Sequence, residues 1–134
     1  MRSALISHAG LAYESPTVKS LPALSLLLLA SHAAAVDFVQ DIQPIFSAHC
    51  YKCHGPHKQE AAFRLDHKPT ALKGGEDGKV IEPGDSAKSM LVHNVARIGE
   101  EDDWMPPKDN KANIPALNPG QVSLIRAWID QGAK

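Results

Sequence analysis

Both cysteines of the 134-residue chain fall in one pentapeptide, Cys50-Tyr51-Lys52-Cys53-His54. The spacing C-x-x-C-H is the attachment pattern of a c-type haem. Two thiols three residues apart each add to one of the porphyrin's vinyl groups. The histidine that follows is carried under the iron, where it acts as proximal ligand. Aromatic side chains make up only 5% of the chain, which is thin for a small core. A covalently held apolar macrocycle would make up that deficit, because side chains alone leave a domain of about 100 residues marginal.

Three other uses of the two cysteines are weaker. A disulfide between residues three apart closes a very short loop and constrains the unfolded chain little. A thioredoxin-like redox pair requires a βαβ setting, which the hydrophobic pattern lacks. A zinc site would draw on His54, His57 or His67, but there is no second C-x-x-C and no H-x-x-x-H pair.

The first 35 residues differ in kind from the rest. Lys19 precedes an apolar run, Leu21 to Ala30, which is short for a bilayer span and is followed by Ala33-Ala34-Ala35. We read 1–35 as a secretory signal peptide and 36–134 as a single domain; an uncleaved membrane anchor is the competing reading. Export agrees with the pentapeptide, since bacterial haem attachment takes place outside the cytoplasmic membrane. The expected location is therefore the periplasm or cell envelope, with membrane contact only if the signal stays uncleaved. Residues 36–134 carry 12 basic and 14 acidic side chains. That balance gives no basic surface for nucleic acid.

Three helices are expected, which makes the domain all-α. In the first, Phe38, Ile42, Ile45, Phe46 and His49 recur at helical spacing over residues 36–49. Asp37 with Gln40, or Asp41 alone, would cap it, and Pro44 predicts a kink or a short preliminary turn. A second helix is expected over Ala87–Ile98, capped by Asp85 or Ser86, with a Leu91, Val95, Ile98 stripe and Gly99 at its end. The third has the clearest start: Asn118 as N-cap, Pro119 at N1 and Gln121 completing a capping box. Leu124, Ile125, Trp128 and Ile129 follow, with Gly132 past the end. Between the first two helices, turns at Lys73–Gly78 and Glu82–Asp85 separate short strands or single helical turns near Phe63–Leu65 and Val80–Ile81.

His54 is the expected proximal ligand, its other ring nitrogen donating to a carbonyl from the Gly55-Pro56 turn. For the sixth position the candidates are Met105, Met90, His93, His57, His67 and His49. Met90 reads as a core side chain beside Leu91, while His57 and His67 lie too near the proximal loop. Met105 precedes Pro106 and Pro107, which hold its backbone extended and stiffen the loop presenting the sulfur. It is the preferred ligand, with His93 the runner-up. A thioether favours Fe(II) and raises the potential relative to a second histidine. Arg64 is a candidate for pairing with a haem propionate. The acidic run Glu100–Asp103 would steer a basic partner, and Trp104 would pack on or cover the haem.

Several separated blocks also resemble the planctomycete-type cytochrome c domain. They are Asp37-Phe38 through Phe46, Cys50–Pro56, Phe63–Asp66, Leu72–Gly75, Pro83–Ser86, Met105-Pro106-Pro107 and Ala127-Trp128-Ile129, in the family's order over about residues 37–132. The resemblance implies a small class I-like cytochrome c fold, with N- and C-terminal helices packed together around the haem. It implies haem linked to Cys50 and Cys53 and ligated by His54 and Met105. Similar domains usually carry a leucine-like residue where Met90 stands, and they commonly open longer exported proteins. This sequence stops after its last helix, which a free-standing cytochrome and a fragment would both explain.

The expectation is thus an electron carrier rather than an enzyme: one haem c, redox proteins as partners and no small-molecule substrate. The alternatives are a haem-bearing accessory or sensor module of a larger exported protein, and a haem enzyme with a labile sixth ligand.

Overall fold

A computed structural model describes residues 34–134. The expected signal segment, 1–35, lies outside the described residues apart from its last two positions. Among the described residues no helix is long and apolar enough to cross a membrane. Four α-helices order the domain: α1 (Gln43–His49), α2 (Lys68–Lys73), α3 (Met90–Val95) and α4 (Pro119–Asp130). The described residues form no strand beyond two isolated bridges, His54 with Gln59 and Gly75 with Gly78. The all-α expectation therefore holds for this region: near Phe63 the chain makes a single helical turn, Glu60–Ala62, and no strand forms there or at Val80–Ile81.

The kink expected at Pro44 is a change of helical pitch. Residues Phe38–Ile42 make a wide π-helical turn that runs directly into α1, with Pro44 in the first turn of α1. Gln43 N–H reaches back to the Phe38 carbonyl across that turn. A proline at that point loses little, because its missing N–H would have had no regular partner. Asp37 is the cap: Oδ1 accepts from Gln40 N–H at 2.8 Å, and Asp41 Oδ2 accepts from Asp37 N–H at 2.9 Å. Asp41 thus closes the box rather than opening the helix.

The two ends of the domain pack on each other through three aromatic rings. Trp128 lies 5.5 Å from Phe38 and 5.8 Å from Phe46, and the two phenylalanines are 6.3 Å apart. Such pairs contribute about 0.5–1.5 kcal/mol each beyond their burial. Ile42, Ile125 and Ile129 are fully buried around them. Trp128 Nε1 donates to the Lys134 carbonyl at 2.9 Å, so the indole leaves no buried polar atom unpaired.

Helix α4 starts and stops where the sequence signals it. Asn118 Oδ1 accepts from Gln121 N–H and Gln121 Oε1 accepts from Asn118 N–H, both at 2.9 Å. At its end Gly132 takes a left-handed φ of 95°, and Ala133 N–H bonds back to Trp128 O at 2.9 Å. Of the apolar residues that follow the cap, Ile125, Trp128 and Ile129 are buried and Leu124 is 38% exposed.

The second expected helix is the least accurate reading. Helix α3 spans only Met90–Val95, not residues 87–98. Ser86 does not cap it: its N–H and hydroxyl both donate to the Asp130 carboxylate in α4, at 2.8 and 3.0 Å. Ser89, fully buried and extended, accepts from Glu82 N–H and donates to the Asp85 carbonyl, each at 2.9 Å. Those bonds divert the chain, so a helix can begin only at Met90. The helix then ends on Arg97, not Gly99. Arg97 adopts φ 57° while Ile98 N–H bonds to His93 O at 2.9 Å. Left-handed backbone costs a non-glycine residue about 1–2 kcal/mol, partly offset here by the guanidinium lying 5.3 Å over the Trp104 ring. Ile98, beyond this stop, is half exposed.

Candidate functional site

Helix α1 ends by delivering the pentapeptide to a cleft. Cys50 N–H still bonds to Phe46 O at 2.8 Å, and the next turn closes with Cys53 N–H and His54 N–H on Cys50 O, at 3.0 and 2.8 Å. One tight coil therefore carries both thiols and the imidazole. At Gly55 the chain doubles back so closely that a Cβ there would stand 2.2 Å from the Tyr51 carbonyl oxygen. Only glycine fits, which makes Gly55 part of the coil's geometry. Cys50 and Cys53 are both free thiols, Cys50 buried and Cys53 half-buried. Burial, and secondarily the neighbouring Cys53, pushes the Cys50 thiol up to about 12.

His54 is fixed from the segment that follows. Its carbonyl accepts from Leu65 N–H at 2.8 Å, and Glu60 N–H bonds to Cys53 O at 3.0 Å. The ring's Nδ1 lies 3.4 Å from Phe63 O. The carbonyl facing the imidazole is therefore that of Phe63 rather than one from the Gly55-Pro56 turn. Gly55 N–H is taken by Lys58 O at 2.9 Å, which folds that turn away. With Nδ1–H directed at Phe63 O, Nε2 is the nitrogen that carries the lone pair.

Cys50, Cys53, His54 and Met105 all line one cleft. It contains about 1090 Å³ of atom-free space, its open mouth included. Apolar walls come from Phe63, Leu65, Val80, Leu91, Val95 and Leu117. Met105 is held there through its backbone, its N–H donating to Asn94 O in α3 at 3.0 Å. Asn110 shapes the loop behind it. Its side-chain amide donates to Pro107 O at 2.7 Å and Ile114 O at 3.0 Å, and its Oδ1 accepts from Ile114 N–H at 2.8 Å.

Acidic side chains stand among these linings: Glu76 and Asp77 from one loop, Asp102 and Asp103 from another. The first pair is placed by a close backbone crossing. Ala61, in a left-handed turn, accepts from Glu76 N–H at 2.9 Å, and a Cβ on Gly75 would meet that same carbonyl at 2.5 Å. The Lys73–Gly78 stretch thus serves a close approach as well as a turn.

The other residues singled out in the sequence lie elsewhere. His93, His57, His67, Arg64 and Trp104 do not line the cleft. His93 Nε2 is 2.7 Å from Ala87 O. The Arg64 guanidinium is engaged by Asp66, Nε to Oδ1 at 2.7 Å and a terminal nitrogen to Oδ2 at 2.8 Å. His49 lines the cleft, but both its ring nitrogens have partners: Nδ1 with Pro115 O at 3.0 Å and Nε2 with the Gln121 amide at 3.2 Å. Met90 corrects the core reading, being 51% exposed and a cleft residue. Asn94, Asn110 and Ile114 also line the cleft without a sequence signal for it. Nothing local marks Asn94, and the polar run Lys108–Ala112 reads as an ordinary loop.

The donor set matches a haem better than a bare metal ion. Among the described residues no group of three or more His, Cys, Asp or Glu side chains is placed to hold a metal. What the cleft gathers instead is two thiols, the imidazoles of His49 and His54, the first with both nitrogens engaged, and the thioethers of Met90 and Met105, inside a mostly apolar enclosure. A covalently attached, axially ligated porphyrin uses that set.

Residues 50–109 match the family model of planctomycete cytochrome C. The match runs from the first cysteine of the pentapeptide to just past Met105-Pro106-Pro107, and the resemblance read from the sequence stands over this span. No curated protein and no solved structure matches the chain.

Proposed function

From the planctomycete cytochrome C segment at residues 50–109, we propose that this protein is an exported electron carrier with one haem c, ligated by His54 and Met105. The observation that supports it most is the convergence of Cys50, Cys53, His54 and Met105 on a single cleft. The chain's two cysteines limit it to one doubly linked haem.

A haem bound there supplies a one-electron Fe(III)/Fe(II) couple. Each protein group then has a part. Cys50 and Cys53 tether the macrocycle through thioether bonds. His54 presents Nε2 while Phe63 O holds the other ring nitrogen. Met105 offers a neutral, soft sulfur that favours the reduced state. Phe63, Leu65, Leu91 and Val95 exclude water and keep the local dielectric low, which limits reorganisation when the charge changes. Glu76, Asp77, Asp102 and Asp103 give the cleft an acidic edge that would attract a basic redox protein and speed encounter at low salt. In this reading the domain has a class I-like cytochrome c fold and works in the periplasm or cell envelope.

The test is optical. The ferric holoprotein should show the weak charge-transfer band of Met–Fe(III) coordination, and it should cycle reversibly with a one-electron slope in a redox titration. A spectrum without that band, unchanged in Met105→Ala, would favour a haem enzyme or sensor with an open sixth position.

A further inference from the structure

We propose that Met90 is a reserve axial ligand, which takes the iron when Met105 leaves it. The inference deepens the His54/Met105 reading and rests on it.

Met90 is out of character for its helix. Its neighbours Leu91, Val92 and Val95 are 5%, 0% and 3% exposed, whereas Met90 is 51% exposed. Met90 also lines the cleft. A large apolar side chain left in an open cleft becomes buried when an apolar group fills the space.

The backbone links Met90 to Met105. Asn94 lies one turn after Met90, on the same face of α3, and also lines the cleft. Its carbonyl holds the Met105 N–H at 3.0 Å. The two methionines are therefore carried by one hydrogen-bonded unit. The Cα of Met90 is fixed on both sides. Ser89 is pinned by its bonds to Glu82 and Asp85, and Leu91 N–H donates to Val80 O at 2.9 Å. The side chain beyond that fixed point is unbranched, with three rotatable bonds and a polarisable sulfur. It can sweep the cleft without moving the fold.

Elimination points the same way. Apart from the tethering cysteines, the soft or imidazole donors among the described lining residues are His49, His54, Met90 and Met105. His54 is the proximal ligand and Met105 the resting sixth ligand. His49 has both ring nitrogens engaged. Met90 is the donor that remains. In the exchange the Fe–S bond to Met105 breaks and an Fe–S bond to Met90 forms. Both sulfurs are neutral thioethers, so no proton, electron or charge is gained or lost.

The test uses holoprotein matured in a host that attaches haem c, as wild type, Met105→Leu, Met90→Leu and the double variant. The readout is the Met–Fe(III) charge-transfer band, together with methyl resonances of ¹³C-methyl-methionine-labelled ferrous protein. The band is expected in wild type and in both single variants, and it should be lost only in the double variant. A band present in wild type and absent in Met105→Leu overturns the reserve role and leaves Met105 as the ligand. A band lost in Met90→Leu alone overturns both assignments by making Met90 the resting ligand. Should Met105→Leu fail to take up haem, the wild-type spectrum decides. The Met90 methyl, assigned by its absence in Met90→Leu, must be shifted upfield by the porphyrin ring current. A methyl at its unperturbed position contradicts the proposal.

Discussion

His54 Nδ1 stands 3.4 Å from the carbonyl oxygen of Phe63, and the Phe63 ring meets the imidazole edge-on, 5.4 Å between centroids. One residue therefore orients the histidine twice, by backbone and by side chain. The hydrogen bond is long, so the ring contact carries much of the orientation. Phe63→Leu keeps the carbonyl and removes the ring. We expect a loss of about 1–2 kcal/mol in chemical denaturation of the holoprotein. A broadened electron paramagnetic resonance signal from the ferric iron should accompany it, as the imidazole samples more orientations.

Gly55 admits no side chain, because an added Cβ would lie 2.2 Å from Tyr51 O, a backbone atom that cannot swing aside. Gly55→Ala must distort the coil that presents both thiols and the imidazole. The predicted cost is about 1–3 kcal/mol or more, and haem incorporation during maturation should fall. Comparing haem per polypeptide with the stability of whatever holoprotein forms separates the two effects. Full incorporation at wild-type stability would show that the tight coil is not required.

The Arg64 guanidinium holds the Asp66 carboxyl below its ordinary value of 3.8, against an opposing effect of burial. A carboxylate with a depressed folded pKa stabilises the fold above its unfolded value. That contribution disappears as pH falls through the folded value. Between roughly pH 5 and pH 2 the wild type should therefore lose stability more steeply than Asp66→Asn. The pair is partly open to solvent, so the difference should be modest and should shrink with added salt. Parallel acid limbs in urea titrations of the two proteins would remove this role.

The capping box of α4 is a separate point of control. Asn118→Ala removes the acceptor for Gln121 N–H and should cost about 1 kcal/mol. For a domain of this size that is a fall in Tm of roughly 4–8 °C. Gln121 also contacts the ring of His49, next to Cys50, so the same variant should loosen the cleft wall. Faster hydrogen exchange at residues 49–53 would report that coupling.

The parts of the protein governed by local rules were readable from sequence. The α4 cap needs only Asn118, Pro119 and Gln121 in order, and Cys50–His54 states its chemistry in five residues. Helix α3 is shorter than its sequence pattern because its limits are tertiary. Ser86 is drawn to Asp130, 44 positions away, and Ser89 is held between Glu82 and Asp85. No periodicity reports such bonds. Helix α2 leaves little trace in the sequence, because six residues give too short a period, and only Pro69 in its first turn signals a start. Met90 reads as a core residue from sequence because helical spacing beside Leu91 cannot distinguish a side chain facing protein from one facing a cleft. The adjacent turn is the nearest source of a carbonyl for His54 in sequence, whereas Phe63 supplies it from nine residues away.

In the proposed function Cys50 and Cys53 hold one haem covalently in the cleft shared with His54 and Met105. Mass spectrometry of protein matured with a haem c attachment system, intact and after proteolysis, tests this most directly. One haem should be added per chain, carried on the peptide spanning Cys50–His54, with the colour staying on the protein through acid–acetone extraction. An unmodified Cys50–His54 peptide, with the colour leaving into the solvent, would contradict it.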